Sequence, residues 1–142
     1  MSYATAADMI ARFGPTELMR MTTPEGQDMQ AVDTVAVERA LAEASDQADS
    51  YLRGRYTVPL VAVPLVLAAH VQHLARYSLA FGENREPTEQ MKMARADAIA
   101  WLKGVADNTV TLEGIAPASP TQSGAMTSDR DRPFNTASLA RW

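Results

Sequence analysis

Between Thr34 and about Arg53, small or apolar residues return at Val37, Leu41, Ala44, Ala48, Tyr51 and Leu52. That spacing gathers on one side of an α-helix and scatters over both faces of a strand. The same rhythm recurs twice. From about Leu65 to Phe81 the chain is apolar on most sides (Leu65, Val66, Leu67, Val71, Leu74, Tyr77, Leu79, Phe81), as a central helix would be. From about Thr88 to Val105 the stripe is Met91, Ala94, Ala98, Trp101, Leu102 and Val105. Pro64 suits the first turn of the middle segment and Gly82 its end. Two shorter helices precede these. Residues 5–13 have Thr5 as cap, Asp8 at the favourable third position and Met9, Ile10 and Phe13 as the apolar stripe. About Thr16–Met21 follows through Gly14-Pro15 and buries Leu18, Met19 or Met21. The expected fold is all-α, a compact bundle of about four to five helices. Thr22–Asp33 reads as a polar loop. Gly54 ends the third helix, and Arg55–Leu60 reads as extended, because Pro59 biases Val58 away from helix. Thr109–Leu112 has the composition of a short strand, which would need a partner.

The helices must pack on small side chains. The chain has 25 alanines, whereas Leu, Ile, Val and Phe together supply only 27 of its 142 residues. So few large apolar groups approach the composition of disordered chains, but disorder also requires a high net charge, and here it is −4. The length suits one domain. A thin alanine core implies close helix contacts, partner subunits, or both.

From Pro117 the composition turns to Pro, Ser, Thr, Gln and Gly. The expected division is a helical body, 1–116, and a flexible linker with a C-terminal docking arm, 117–142. The arm ends in the large residues Phe134, Leu139 and Trp142. Asp129 and Asp131 stand there against Arg130, Arg132 and Arg141, a net charge of +1, which leaves −5 for the body.

Several classes of function fall away. With no cysteine there is no disulfide framework, thiolate metal site or Cys nucleophile. The longest apolar run, Val58–Ala69, contains two prolines and falls short of the roughly 20 residues a membrane span needs. The first residues have neither the basic nor the apolar stretch of a secretory signal. A sequence pI near 5.1 argues against tight phosphate-driven nucleic-acid binding.

The remaining candidates are few. His70 and His73 lie three apart, a spacing that would set two metal ligands on one helix face, yet no third or fourth ligand stands nearby. The plainer reading is a partly buried pair at a helix or subunit contact, so neither metal nor cofactor is expected. Glu38, Glu43, Asp46 and Asp49 read as a solvated face of the third helix. Turned toward a channel, they would form a negative wall that repels DNA phosphates. Arg53, Arg55 and Tyr56 lie at a helix end, where guanidinium groups favour the negative pole or pair with an acidic helix of a neighbour. The eight methionines suit gaps in the core. There is no Gly-rich phosphate loop, no G-x-S-x-G and no Ser/His/Asp context, so no enzyme is expected.

In their order along the chain, several strings resemble the small Mu-like phage head–tail connector (adaptor) family. They are Tyr3-Ala4-Thr5 with Asp8 through Gly14, Ala48 through Leu60, His73-Leu74-Ala75-Arg76-Tyr77, Ala98-Ile99-Ala100-Trp101-Leu102, and Phe134 with Ser138-Leu139 and Trp142. The resemblance implies a helical virion subunit that assembles as a ring, commonly twelvefold, under the portal of a tailed phage. Such a ring extends the DNA channel, lets double-stranded DNA pass without sequence-specific binding, and meets the next neck, stopper or tail protein. It implies no catalytic residues, and the Pro/Ser/Thr-rich stretch 117–128 departs from the family pattern. The alternatives are a small helical nucleic-acid-binding regulator, which would need a basic groove, and another neck or tail-completion protein, which would carry more strand.

Overall fold

The computed structural model describes residues 1–81 and 85–118. It contains α1 (Ala6–Phe13), α2 (Pro15–Thr22), α3 (Thr34–Leu52), α4 (Leu65–Ala80) and α5 (Glu89–Ala106), with no strand among the described residues. The all-α expectation holds, and the helix limits fall within a residue or two of those read from periodicity.

Local chemistry sets these limits. Thr5 and Asp8 form a reciprocal cap: the Asp8 N–H donates to Thr5 Oγ1, and the Asp8 carboxylate accepts from the Thr5 N–H at 2.9 Å. These bonds hold the Asp8 carboxyl below its ordinary range. Gly14, at φ 86°, closes α1 and opens α2, so Pro15 enters the second helix with no intervening loop. Asp33 caps α3 by accepting from the N–H groups of Val35 and Ala36, and Thr88 caps α5. Gly54 does not act as a left-handed stop. Instead the N–H groups of Arg55 and Tyr56 both turn back to the Leu52 carbonyl at 2.9 Å.

Helices α3, α4 and α5 pack on one another, and the α1–α2 hairpin lies across α3 and α4. The core is built as composition requires. Ala40, Ala44 and Ala48 of α3, Ala75 of α4 and Ala98 of α5 are buried among Leu41, Leu52, Leu67, Val71, Leu102 and Val105. Side chains this small let helix axes approach closely, which raises the dispersion contacts made by the few larger groups. Among the described methionines only Met9 and Met91 are buried, whereas Met1, Met29 and Met93 are exposed. The expectation of a methionine-filled core is corrected accordingly: alanine packing leaves few gaps for flexible side chains.

Asp49 also departs from expectation. It lies at the edge of the buried face of α3 and is itself buried, so it does not belong to a solvated acidic surface. The Tyr3 phenol O–H donates to Asp49 Oδ1, and the same phenol oxygen accepts from the Leu60 N–H at 3.1 Å. The Tyr3 N–H in turn donates to Ser45 Oγ, whose hydroxyl donates to the Leu41 carbonyl. One tyrosine thus joins the N-terminus, α3 and the segment before α4. Burial, reinforced by the bond to Asp49, pushes its pKa up to about 12.

Thr109–Leu112 forms no strand. The Thr109 and Val110 N–H groups return to the Gly104 carbonyl, and the Leu112 N–H donates to the Tyr56 phenol oxygen at 3.1 Å. A Cβ on Gly104 would meet Val110 Cγ2 at 3.2 Å, so the two segments pack closely at this point.

Tyr3→Phe should lower unfolding stability by about 2 kcal/mol, because it leaves a buried carboxylate and a buried N–H without partners. Urea titration measures this. An unfolded tyrosine ionises near pH 10, whereas folded Tyr3 keeps its proton to about 12. The stability it contributes is present below pH 10 and falls as pH rises from 10 to 12. The Phe variant should lack that fall; equal alkaline losses in the two chains would count against the network.

Candidate functional site

The string from Arg53 to Leu60 is a socket rather than a free edge. Arg55 donates to the Val105 carbonyl at 2.9 Å and to the Val110 carbonyl at 3.4 Å, with its guanidinium 5.4 Å from the Tyr56 ring centroid. It therefore caps the C-terminal end of α5, where a cation is favoured, and not the end of its own helix. Tyr56 is buried and holds Leu112, and the Ala118 N–H donates to the Arg55 carbonyl at 2.7 Å. Arg55 and Tyr56 thus tie segment 109–118 to the end of α3, within one subunit. Arg53 is exposed.

Of the four carboxylates, Glu38, Glu43 and Asp46 are exposed on α3, and Asp49 is turned inward to Tyr3. Arg39 on the same helix and Arg53 at its C-cap are exposed. The outward charge of α3 is therefore more mixed than four carboxylates alone suggest.

His70 and His73 are separated by their neighbours. His70 stacks on Trp101 of α5 at 4.7 Å between ring centroids, and His73 meets the Phe13 ring of α1 edge-on at 5.6 Å. His73 Nδ1 is buried with no hydrogen-bond partner among the described residues. Around them, Arg12 donates to Gln72 Oε1 at 3.0 Å, and Arg76 lies over Phe13 and pairs with Glu17 of α2 at 2.6 Å. Burial lowers both imidazole pKa values; for His70 the charges of His73 and Arg12 add to this against Asp97, and for His73 those of Arg12 and Arg76 add. His73 packs α4 against α1, and His70 packs α4 against α5. Among the described residues, no three His, Cys, Asp or Glu side chains are grouped to hold a metal ion.

One surface was not singled out as a site in the sequence reading. Val61 is fully exposed, Leu65 is 88% exposed, and Val63 and Val66 are also open. Together they form an apolar ridge at the entrance to α4. A cleft of about 420 Å³ flanks it on the side of Asp8 and Arg12, and one of about 220 Å³ on the side of Gly114, Ile115 and Ala116. The signal was the long apolar run itself: Pro59 and Pro64 keep it out of regular structure, so no stripe directs it inward. Phe81 and Met93 are exposed as well. A third cleft, about 440 Å³, lies between Arg20, Arg85 and the loop 23–29, where Arg85 donates to the Arg20 and Thr23 carbonyls. No helix among the described residues is long and apolar enough to cross a membrane. Phe134, Leu139 and Trp142 lie outside the described residues.

Comparison with known proteins places these features in context. The model of the family described as bacteriophage Mu, Gp36, matches residues 3–129. The chain is 38% identical over 122 residues to gene product J of Escherichia phage Mu, covering 84% of each protein. It is 36% identical over 128 residues to the Mu-like prophage FluMu protein gp36 of Haemophilus influenzae, covering 87% of this chain and 86% of that one.

Both histidines have pKa values lowered on folding, so the unfolded chain binds protons more tightly. Stability should be fully present above pH 6.5 and fall as the pH drops below it. His73→Leu should flatten this acid limb, seen as a smaller drop in Tm between pH 6.5 and 5. An unchanged limb would place the acid sensitivity elsewhere.

Proposed function

The chain belongs to the bacteriophage Mu Gp36 family, and from that premise we propose that it is a structural head–tail connector of the virion. In this reading its copies form a ring beneath the portal, twelvefold as in the adaptors it resembles. The ring extends the DNA channel and joins the capsid to the next neck or tail component. It is not an enzyme. The observation that carries the proposal is the family match across residues 3–129, which takes in the entire helical body.

The surface is compatible with such a role. A free-standing domain with so thin a core has little reason to leave Val61, Leu65, Val66 and Phe81 in water, whereas a ring subunit has neighbours to cover them. Glu38, Glu43 and Asp46 are available to face passing DNA, and carboxylates there would keep the duplex from adhering. Arg53 is available for an ion pair with an adjacent copy. The segment bearing Phe134, Leu139 and Trp142 is the proposed contact with the portal or a neighbouring subunit. Large apolar anchors of this kind carry much of an interface's binding energy, and a tether raises their local concentration.

Removing residues 129–142 should abolish retention of the protein on portal-bearing heads, scored by co-sedimentation; undiminished retention refutes the contact. Imaging of heads that carry the full chain should show a ring under the portal, and a location elsewhere in the particle overturns the connector reading. Reversing Glu38, Glu43 and Asp46 to lysine should leave the melting temperature of the exposed-site variant within a few degrees of the parent. It should nevertheless slow DNA release from assembled particles.

A further inference from the structure

We propose that, in the unassembled subunit, the C-terminal segment carrying Phe134, Leu139 and Trp142 covers the apolar ridge Val61–Val66 of its own chain. The inference is independent of the neck assignment, because it concerns the isolated protein.

Three observations select this occupant. The first is position. Ala118 is held to the Arg55 carbonyl, and Gly114, Ile115 and Ala116 line the same cleft as Leu60, Val61 and Ala62. The described chain therefore ends beside the ridge. Fifteen residues separate Ala118 from Phe134, enough for a span of roughly 50 Å when fully extended.

The second is charge. The segment carries +1 and the rest of the chain −5. A second body approaching the ridge meets a like net charge, whereas the segment does not. The cleft on the other side of the ridge has the Asp8 carboxylate on its rim, held anionic by its bonds to Thr5, and Arg12 beside it. An anionic group there suits Arg141 of the segment.

The third is chemistry. The ridge is aliphatic, formed by Val61, Val63, Leu65 and Val66, and the segment supplies two aromatic rings and a leucine. Covering it removes apolar surface from water at both partners. Tethering gives the segment an effective concentration of order millimolar at this site, well above that of any second copy in dilute solution. The consequence is a self-shielded subunit. Its ridge becomes available to a neighbour only when its own segment is drawn to another partner.

The cysteine-free sequence allows a direct test on the full chain. Val61→Cys with Leu139→Cys, under mild oxidation at micromolar concentration, should give an intramolecular disulfide, seen as a faster-migrating monomer without reductant. Its yield should exceed that of the control pair Glu38→Cys with Leu139→Cys by about tenfold and should not change on dilution. Adding Leu65→Asp, at a site too exposed to threaten the fold, should reduce the yield severalfold while the circular dichroism spectrum stays the same. Equal yields from the two pairs overturn the proposal. So does a disulfide-linked dimer that grows with concentration, which would put the segment on a second copy. An undiminished yield with Leu65→Asp likewise overturns the ridge as the seat.

Discussion

A carboxylate removed from water must find donors, and Asp49 finds its donor in the phenol of Tyr3. Much of the molecule follows from that requirement. Tyr3 reaches Asp49 only if the chain start lies along α3, and its phenol oxygen then serves the Leu60 N–H, which fixes the segment that feeds α4. The backbone of the same tyrosine is held by Ser45, one turn before Asp49. A thin alanine core supplies limited hydrophobic energy, so registration of the elements rests more heavily on a few fully paired polar contacts of this kind.

Tyr56 and Arg55 perform the parallel task at the other end of the chain. A second phenol takes the Leu112 N–H, and a guanidinium closes the end of α5. The two devices flank the string between Gly54 and Leu60. That string is irregular, yet it is held from both sides, and the apolar ridge that continues from it stays outside the core.

The helices were legible because each writes its own rhythm: a stripe at 3.6-residue spacing, a capping residue such as Thr5 or Thr88, a proline at entry. What the rhythm does not encode is a partner far away in the chain. Asp49 lies 46 residues from Tyr3, and Arg55 lies 50 from Val105. Each was therefore read from its own helix, one as a solvated carboxylate and the other as a cap for α3. Thr109–Leu112 had β-type composition, but its backbone is answered by Gly104 and a phenol oxygen, so no strand forms. The ridge at Val61–Val66 was visible as composition and invisible as a surface, because only the folded body reveals which apolar residues have been left uncovered.

The bond from Ala118 to the Arg55 carbonyl also fixes a load path. A pull on anything beyond residue 118 falls first on a single peptide hydrogen bond beside the end of α3. Behind it stand the Arg55 bonds to the Val105 carbonyl in the last turn of α5 and to the Val110 carbonyl beyond it. Tension would release the weak outer bond before it reached the charge-assisted inner ones. The body is thereby insulated from strain at its terminus, like a cable clamped ahead of its connector.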